Sequence, residues 1–259
     1  MVKISLFASS NRCHLWPEFF KSLQSNTIPF EVVFAGDADD RNLVGYNPQV
    51  WLPENGSFKY IRTGFIKPAQ AYEVARRACT GELINWTADD CEYSPMALDR
   101  IYDFFMSLNQ PKAVVSVKTN ENDTNNDPCE QRLKGPRTPI MAPLGVMRRD
   151  FLEELGGIDR RYVCGQYEND IVMRASNESG LPVFLFYDAC IKIDHLRKHG
   201  PTTPFWTGYN KDREVLEGAW FKNDVIIPHI PYRRFDGGHQ PFEDKDILTV
   251  SQSNKGKWA

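Results

Sequence analysis

Three acids fall within four residues at Asp89, Asp90 and Glu92, directly after a short apolar run, residues 83–87, that reads as a buried strand. A strand that empties into clustered carboxylates fixes negative charge at a strand end. In open α/β sheets the crevice beyond those ends is where ligands bind. Hard oxygen ligands in such a place suit Mg²⁺ or Mn²⁺, which would in turn hold phosphates. An acidic surface turn would give the same residues, so this reading needs support from the rest of the chain. A second acidic pair, Glu168 and Asp170, opens a helical stretch that carries Arg174. Residues two apart on a helix face different ways, so one acid can address a ligand while the other caps or pairs. Both also suit the positive end of a helix dipole. Arg148 and Arg149 are candidate partners for them. His195 follows an alternating run, residues 190–194, and a lone His is more often structural than a ligand.

The elements that must position these groups alternate. Strands are expected at residues 3–8, 30–35, 59–62, 83–87 and 113–117. Between them, Trp16, Phe19, Phe20 and Leu23 recur at helical spacing, and residues 68–79 form an Ala-rich helix with Pro68 in its first turn and Gly81 as terminator. Pro95 opens a further helix with Leu98, Ile101, Tyr102, Phe105 and Leu108 on its apolar face. Strand–helix alternation of this kind predicts a parallel sheet with right-handed crossovers. Residues 119–139 are polar and read as a long loop, the usual place for a lid. Beyond it the pattern is mixed α+β. A strand is expected at 144–147 and a helix at 151–155 stopped by Gly156 and Gly157. A helix follows at 167–179, then a strand at 183–187 and a short helix at 213–221. The expected organisation is one domain over 1–225 with two functional halves, at 1–118 and at 140–225, followed by a polar arm at 226–259.

Composition narrows the class. The 259 residues are 41% hydrophobic with a net charge of −3, so neither nucleic acid nor an anionic membrane is the expected partner. No apolar run approaches the ~18 residues of a membrane span, and the start is too short for a signal peptide. The six cysteines are scattered and none forms a Cys-x-x-Cys pair, which fits a reduced, cytoplasmic protein.

Taken in order, these motifs resemble glycosyltransferase family 2, the large GT-A group. The resemblance rests on the turn Ser9-Ser10-Asn11-Arg12, the second strand ending at Asp37, the Ala-rich helix, Gly81-Glu82, the apolar strand and Asp89-Asp90. It continues through Gly156-Gly157-Ile158-Asp159, the run Glu168 to Arg174 and His195, so that it covers roughly residues 3–220. Two departures stand out: Asp-Asp-Cys-Glu replaces Asp-x-Asp, and Tyr167-Glu168 replaces an acidic pair. The resemblance implies a GT-A α/β fold and a metal-dependent, inverting transfer from a nucleotide-diphospho-sugar to a carbohydrate or glycan acceptor. Ser9, Asn11, Arg12, Asp37, Lys67 and Asp89 would bind the donor. Asp90 and His195 would hold Mn²⁺ or Mg²⁺. Glu168 would be the base, with Asp170 as its alternative. A nucleotidyltransferase is a rival, although it would want a glycine-rich phosphate loop after the first strand. A catalytically inactive sugar-nucleotide-binding module is another.

Overall fold

The computed structural model describes residues 1–37, 48–63, 66–121, 139–193, 203–222 and 229–247, with side chains of the last helix from residue 208 onward. Along the chain these form β1 (Ile4–Ser9), α1 (Trp16–Ser22), β2 (Phe30–Gly36), β3 (Gly56–Arg62), α2 (Pro68–Arg77), β4 (Leu83–Trp86) and β5 (Cys91–Tyr93). Then come α3 (Ala97–Ser107), β6 (Val115–Glu121), β7 (Gly145–Arg148), α4 (Arg149–Glu154), α5 (Tyr167–Ser179), β8 (Phe184–Ile193) and α6 (Thr203–Trp220). One eight-stranded sheet runs in the order β3-β2-β1-β4-β7-β6-β8-β5. The first four strands are mutually parallel. β7 then lies antiparallel between β4 and β6, and β5 closes the far edge antiparallel to β8.

The period-2 alternation of β1 and β2 sorts their side chains onto two faces. Ile4, Leu6, Ala8, Phe30, Val32 and Phe34 pack against Trp16, Phe19 and Phe20 of α1 and Leu98, Ile101 and Phe105 of α3. Phe7, Val33 and Ala35 point the other way, onto Ala71, Val74 and Ala75 of α2 and Ile171 and Val172 of α5. Every residue of β2 is buried, as a strand covered by helices on both faces must be. The result is a three-layer α/β/α arrangement, the class expected from the alternation.

Several local expectations shift. α2 ends at Arg77 without needing Gly81 as a left-handed cap. Glycine is required at 81 because a Cβ there would lie 2.6 Å from Ser5 Oγ of β1. Gly156 and Gly157 do adopt positive φ behind α4, at 83° and 70°. Glu92 sits in β5 opposite Lys192, so only Asp89 and Asp90 remain in the turn after β4. β8 runs to Ile193 rather than 187, and α6 begins at Thr203 rather than 213. The lid expected at 119–139 falls mostly on 122–138, outside the described residues, as does His195. Residues 229–247, expected in an arm, lie along the domain. Arg77 bonds Asp244 and the Phe242 carbonyl, Asn177 bonds Tyr232, and the Phe235 amide donates to Ala219. Among the described residues no helix is long and apolar enough to cross a membrane.

Candidate active site

The parallel strands β1 and β4 end side by side, and their turns meet. Ser10 follows β1. Its hydroxyl donates to Asp89 Oδ2 at 2.7 Å and accepts the Trp16 indole N–H at 2.8 Å. The Arg12 guanidinium binds the Asp89 carboxylate directly and lies 3.6 Å from Asp90 Oδ2. Both aspartates are buried. Burial raises the Asp89 carboxyl above its ordinary value, and Arg12 and Ser10 pull against it. Asn11 Nδ2 stands 3.4 Å from Asp37 Oδ1 on the next turn. Gly36 lets β2 pass the Ser10 carbonyl, because a Cβ there would sit 2.0 Å from that oxygen. Ser9 closes β1 opposite Ala35, and Lys67 is exposed on extended backbone at the entrance to α2.

Glu168 comes from the other half of the chain, in the first turn of α5, where it is half-buried. Burial pushes its carboxyl up to about 7. The Glu168 and Gln166 amides pull it down, and the negative charge of Asp212 pushes it further up. Two tyrosines join this point to the β4 turn. Tyr72 of α2 donates its hydroxyl to the Thr87 carbonyl at 2.5 Å, and its ring lies 5.1 Å from that of Tyr167, the neighbour of Glu168. Burial holds the Tyr72 phenol above its ordinary value, and the charges of Asp89 and Asp90 add to that effect. Asp89, Asp90, Arg12 and Glu168 are thus gathered at one end of the sheet, with Tyr72 and Tyr167 between them.

Asp170 points elsewhere. It is fully buried, accepts Arg174 Nε at 2.7 Å and Trp220 Nε1 at 2.9 Å, and has Arg234 Nη1 at 3.5 Å. Asp159, Asp170 and His239 have the mutual spacing of cation ligands, within 4.8 Å. Guanidiniums already neutralise the carboxylates: Arg161 Nη2 is 2.7 Å and Arg234 Nη2 3.5 Å from Asp159. The group is therefore a charge network closed by residues 229–247.

Arg148 and Arg149 do not reach the α5 acids. They pair with Glu82 and Asp150, and with Glu153, respectively. Trp86 is a core residue whose indole N–H donates to the Ala142 carbonyl at 2.9 Å. Sequence reasoning missed Tyr72 and Asp212. Tyr72 carried a signal, as a polar-tipped aromatic on an otherwise Ala-rich face.

No protein-family model matches the chain, and no curated protein matches it by sequence. Solved structures match it by shape. S. aureus TarS is 14% identical with a TM-score of 0.62, over 100% of this chain and 44% of that one. TarS 1–349 in complex with UDP-GlcNAc is 13% identical with a TM-score of 0.60, over 97% of this chain and 71% of that one. GalNAc-T7 with UDP, GalNAc and Mn²⁺ is 13% identical with a TM-score of 0.57, over 85% and 48%. The chain thus spans less than half the length of TarS and of GalNAc-T7. At such identities the likeness is one of fold, and the fold is GT-A.

Proposed function

We propose that this chain transfers a sugar from a nucleotide-diphosphate donor to an acceptor hydroxyl, with inversion and with help from Mn²⁺ or Mg²⁺. The observation that carries the reading is the placement of Glu168, tuned to about 7, across Tyr72 and Tyr167 from the buried pair Asp89–Asp90. TarS and GalNAc-T7, structures of the same fold, are described with UDP or UDP-GlcNAc bound, which supports a nucleotide-sugar donor.

In this reading residues 1–118 bind the nucleotide. Asp37, steadied by Asn11, accepts a hydrogen bond from the base, and Asp89 addresses the ribose. Ser9, Arg12 and Lys67 complete the donor set. The residues present fit a small hard cation, since Mg²⁺ is commonly held by one or two carboxylates together with substrate phosphates. Asp90 would hold it, with His195 as a second ligand. When bound, the ion offsets negative charge growing on the leaving diphosphate. Arg12, already against both aspartates, is a fixed positive charge at the same place.

Residues 140–225 supply the acceptor side. The acceptor hydroxyl loses its proton to a Glu168 carboxylate oxygen as it attacks the sugar carbon. A base near neutrality is poised both to be ionised and to take the proton. Both Asp170 oxygens are already engaged, by Arg174 and by the Trp220 indole. The scattered cysteines, none of them in a Cys-x-x-Cys pair, fit the reducing cytoplasm we propose as the compartment.

The test is Glu168→Gln, which keeps shape and hydrogen bonding but cannot accept a proton. Turnover should fall by about 10²–10⁴, while calorimetry with UDP and Mn²⁺ gives an unchanged dissociation constant. Full turnover in this variant would remove the base from the proposal.

A further inference from the structure

Asp212, in the middle of α6, is fully buried and accepts three successive backbone N–H groups: Val163 at 2.7 Å, Cys164 at 2.7 Å and Gly165 at 2.8 Å. Among the described residues it makes no ion pair, so these amides are its compensation for burial. The three donors belong to the segment that delivers Glu168. It continues through Gln166, in a left-handed conformation with φ 63°, straight into Tyr167 and Glu168. A non-glycine residue keeps such a conformation only where its surroundings impose it. Here the segment is held from both sides. The Ala69 amide of α2 donates to the Val163 carbonyl at 2.9 Å, and α6 packs close against the opposite side. A Cβ at Gly208 would lie 2.8 Å from Cys164 Sγ, and one at Gly165 would lie 3.2 Å from the Tyr209 ring.

We propose that Asp212 is the positioning residue for Glu168: its carboxylate pins the amides of residues 163–165 and so fixes where the Glu168 carboxylate points. The proposal rests on the reading of Glu168 as proton acceptor. A second effect follows from the same geometry, because the negative charge of Asp212 adds to burial in raising the Glu168 carboxyl. The other titratable groups facing Glu168, each feeling its charge, are Cys164 of the segment, Tyr167 of α5 and Tyr209 of α6. All three are pushed above their ordinary values by burial and are neutral at pH 7. Asp212 is therefore the neighbouring anion that tunes the base as well as aiming it.

The experiment compares wild type with Asp212→Asn, which keeps volume and one acceptor oxygen but loses the charge. Glu168 is titrated by carbon NMR of its carboxyl, with Glu168→Gln identifying the signal, and amide exchange is followed over residues 163–165. The expected result is a lowered Glu168 midpoint, faster exchange at those amides, and an acid limb of the pH–rate profile that moves down with the midpoint. Turnover should drop about 10–10²-fold, the scale of a misplaced catalytic group, while the UDP dissociation constant with Mn²⁺ is unchanged. Asp212→Glu, which restores the charge one methylene further out, should return the midpoint toward wild type, and it carries the same readouts if Asp212→Asn does not fold. An unmoved midpoint with unchanged exchange overturns the proposal whatever turnover does. So does a parallel loss of nucleotide affinity and turnover. Wild-type turnover in Glu168→Gln would instead overturn the role of Glu168, and the titration and exchange would still decide on Asp212.

Discussion

Glu168 and Asp170 stand two residues apart on one helix, and their surroundings treat them in opposite ways. The front of α5, where Glu168 lies, faces phenols, a thiol and another carboxylate, and its carboxyl is pushed up to about 7. The back, where Asp170 lies, receives Arg174, Arg234 and the Trp220 indole. Burial alone therefore does not set a carboxylate's chemistry. The partners buried with it decide whether it can take a proton. The helix makes the contrast possible, because positions two apart are turned to different neighbours.

The strongest way to break this comparison is Asp170→Ala. It leaves Arg174 and the Trp220 indole without the carboxylate they bond, and breaking a buried pair typically costs about 3–5 kcal/mol. Urea denaturation measures it, and a loss no greater than that of an exposed substitution would mean the back network carries no stability. Glu168→Gln should do the reverse. Its folded-state value lies above the ordinary 4.5, so the carboxyl's stabilising contribution is complete below about 4.5 and is lost as pH rises through about 7. At pH 8 the Gln variant should be more stable than wild type by about 2–3 kcal/mol, with the advantage gone at pH 4.5. Denaturation at the two pH values checks the sign. The smallest effect belongs to Asp236, lowered from 3.8 to about 2 by Arg234, Arg161 and the Gly238 amide against the opposing pull of burial. Its contribution is present above about 3.8 and lost as pH falls through about 2. Asp236→Asn should cost on the order of 1 kcal/mol at neutral pH, since the site is partly solvated. The gap to wild type should close near pH 2 in an acid titration followed by tryptophan emission.

The first half of the fold was legible because its signals are local. Apolar alternation gives β1 and β2, an Ala-rich periodic stretch gives α2, and acids mark the end of β4. β5 was hidden because three residues, Cys91 to Tyr93, are too few to show a period, and their pairing with β8 is long-range. The first turns of α6 were hidden by Pro204 and Gly208, which read as breakers. In the site, the acids could be found by type, and the preference for Glu168 came from register against a motif. What separates it from Asp170 is tertiary: Arg234 arrives from a segment that the sequence presents as a polar tail. Asp212 gave no signal at all. A single aspartate in a charged helical stretch looks solvated until the amides it accepts are brought against it.

The antiparallel strand β7 lies between β4 and β6, although roughly 60 residues separate it from β4 along the chain. At about 5–20 residues per second, a ribosome needs on the order of 3–12 s to supply it after β4 emerges. Throughout that interval the nascent β3-β2-β1-β4 ribbon exposes the unpaired amides and carbonyls of β4, a template for pairing with any other extended chain. Synthesis of this protein thus contains a built-in waiting period, during which β4 is an open edge until Gly145–Arg148 is available to dock.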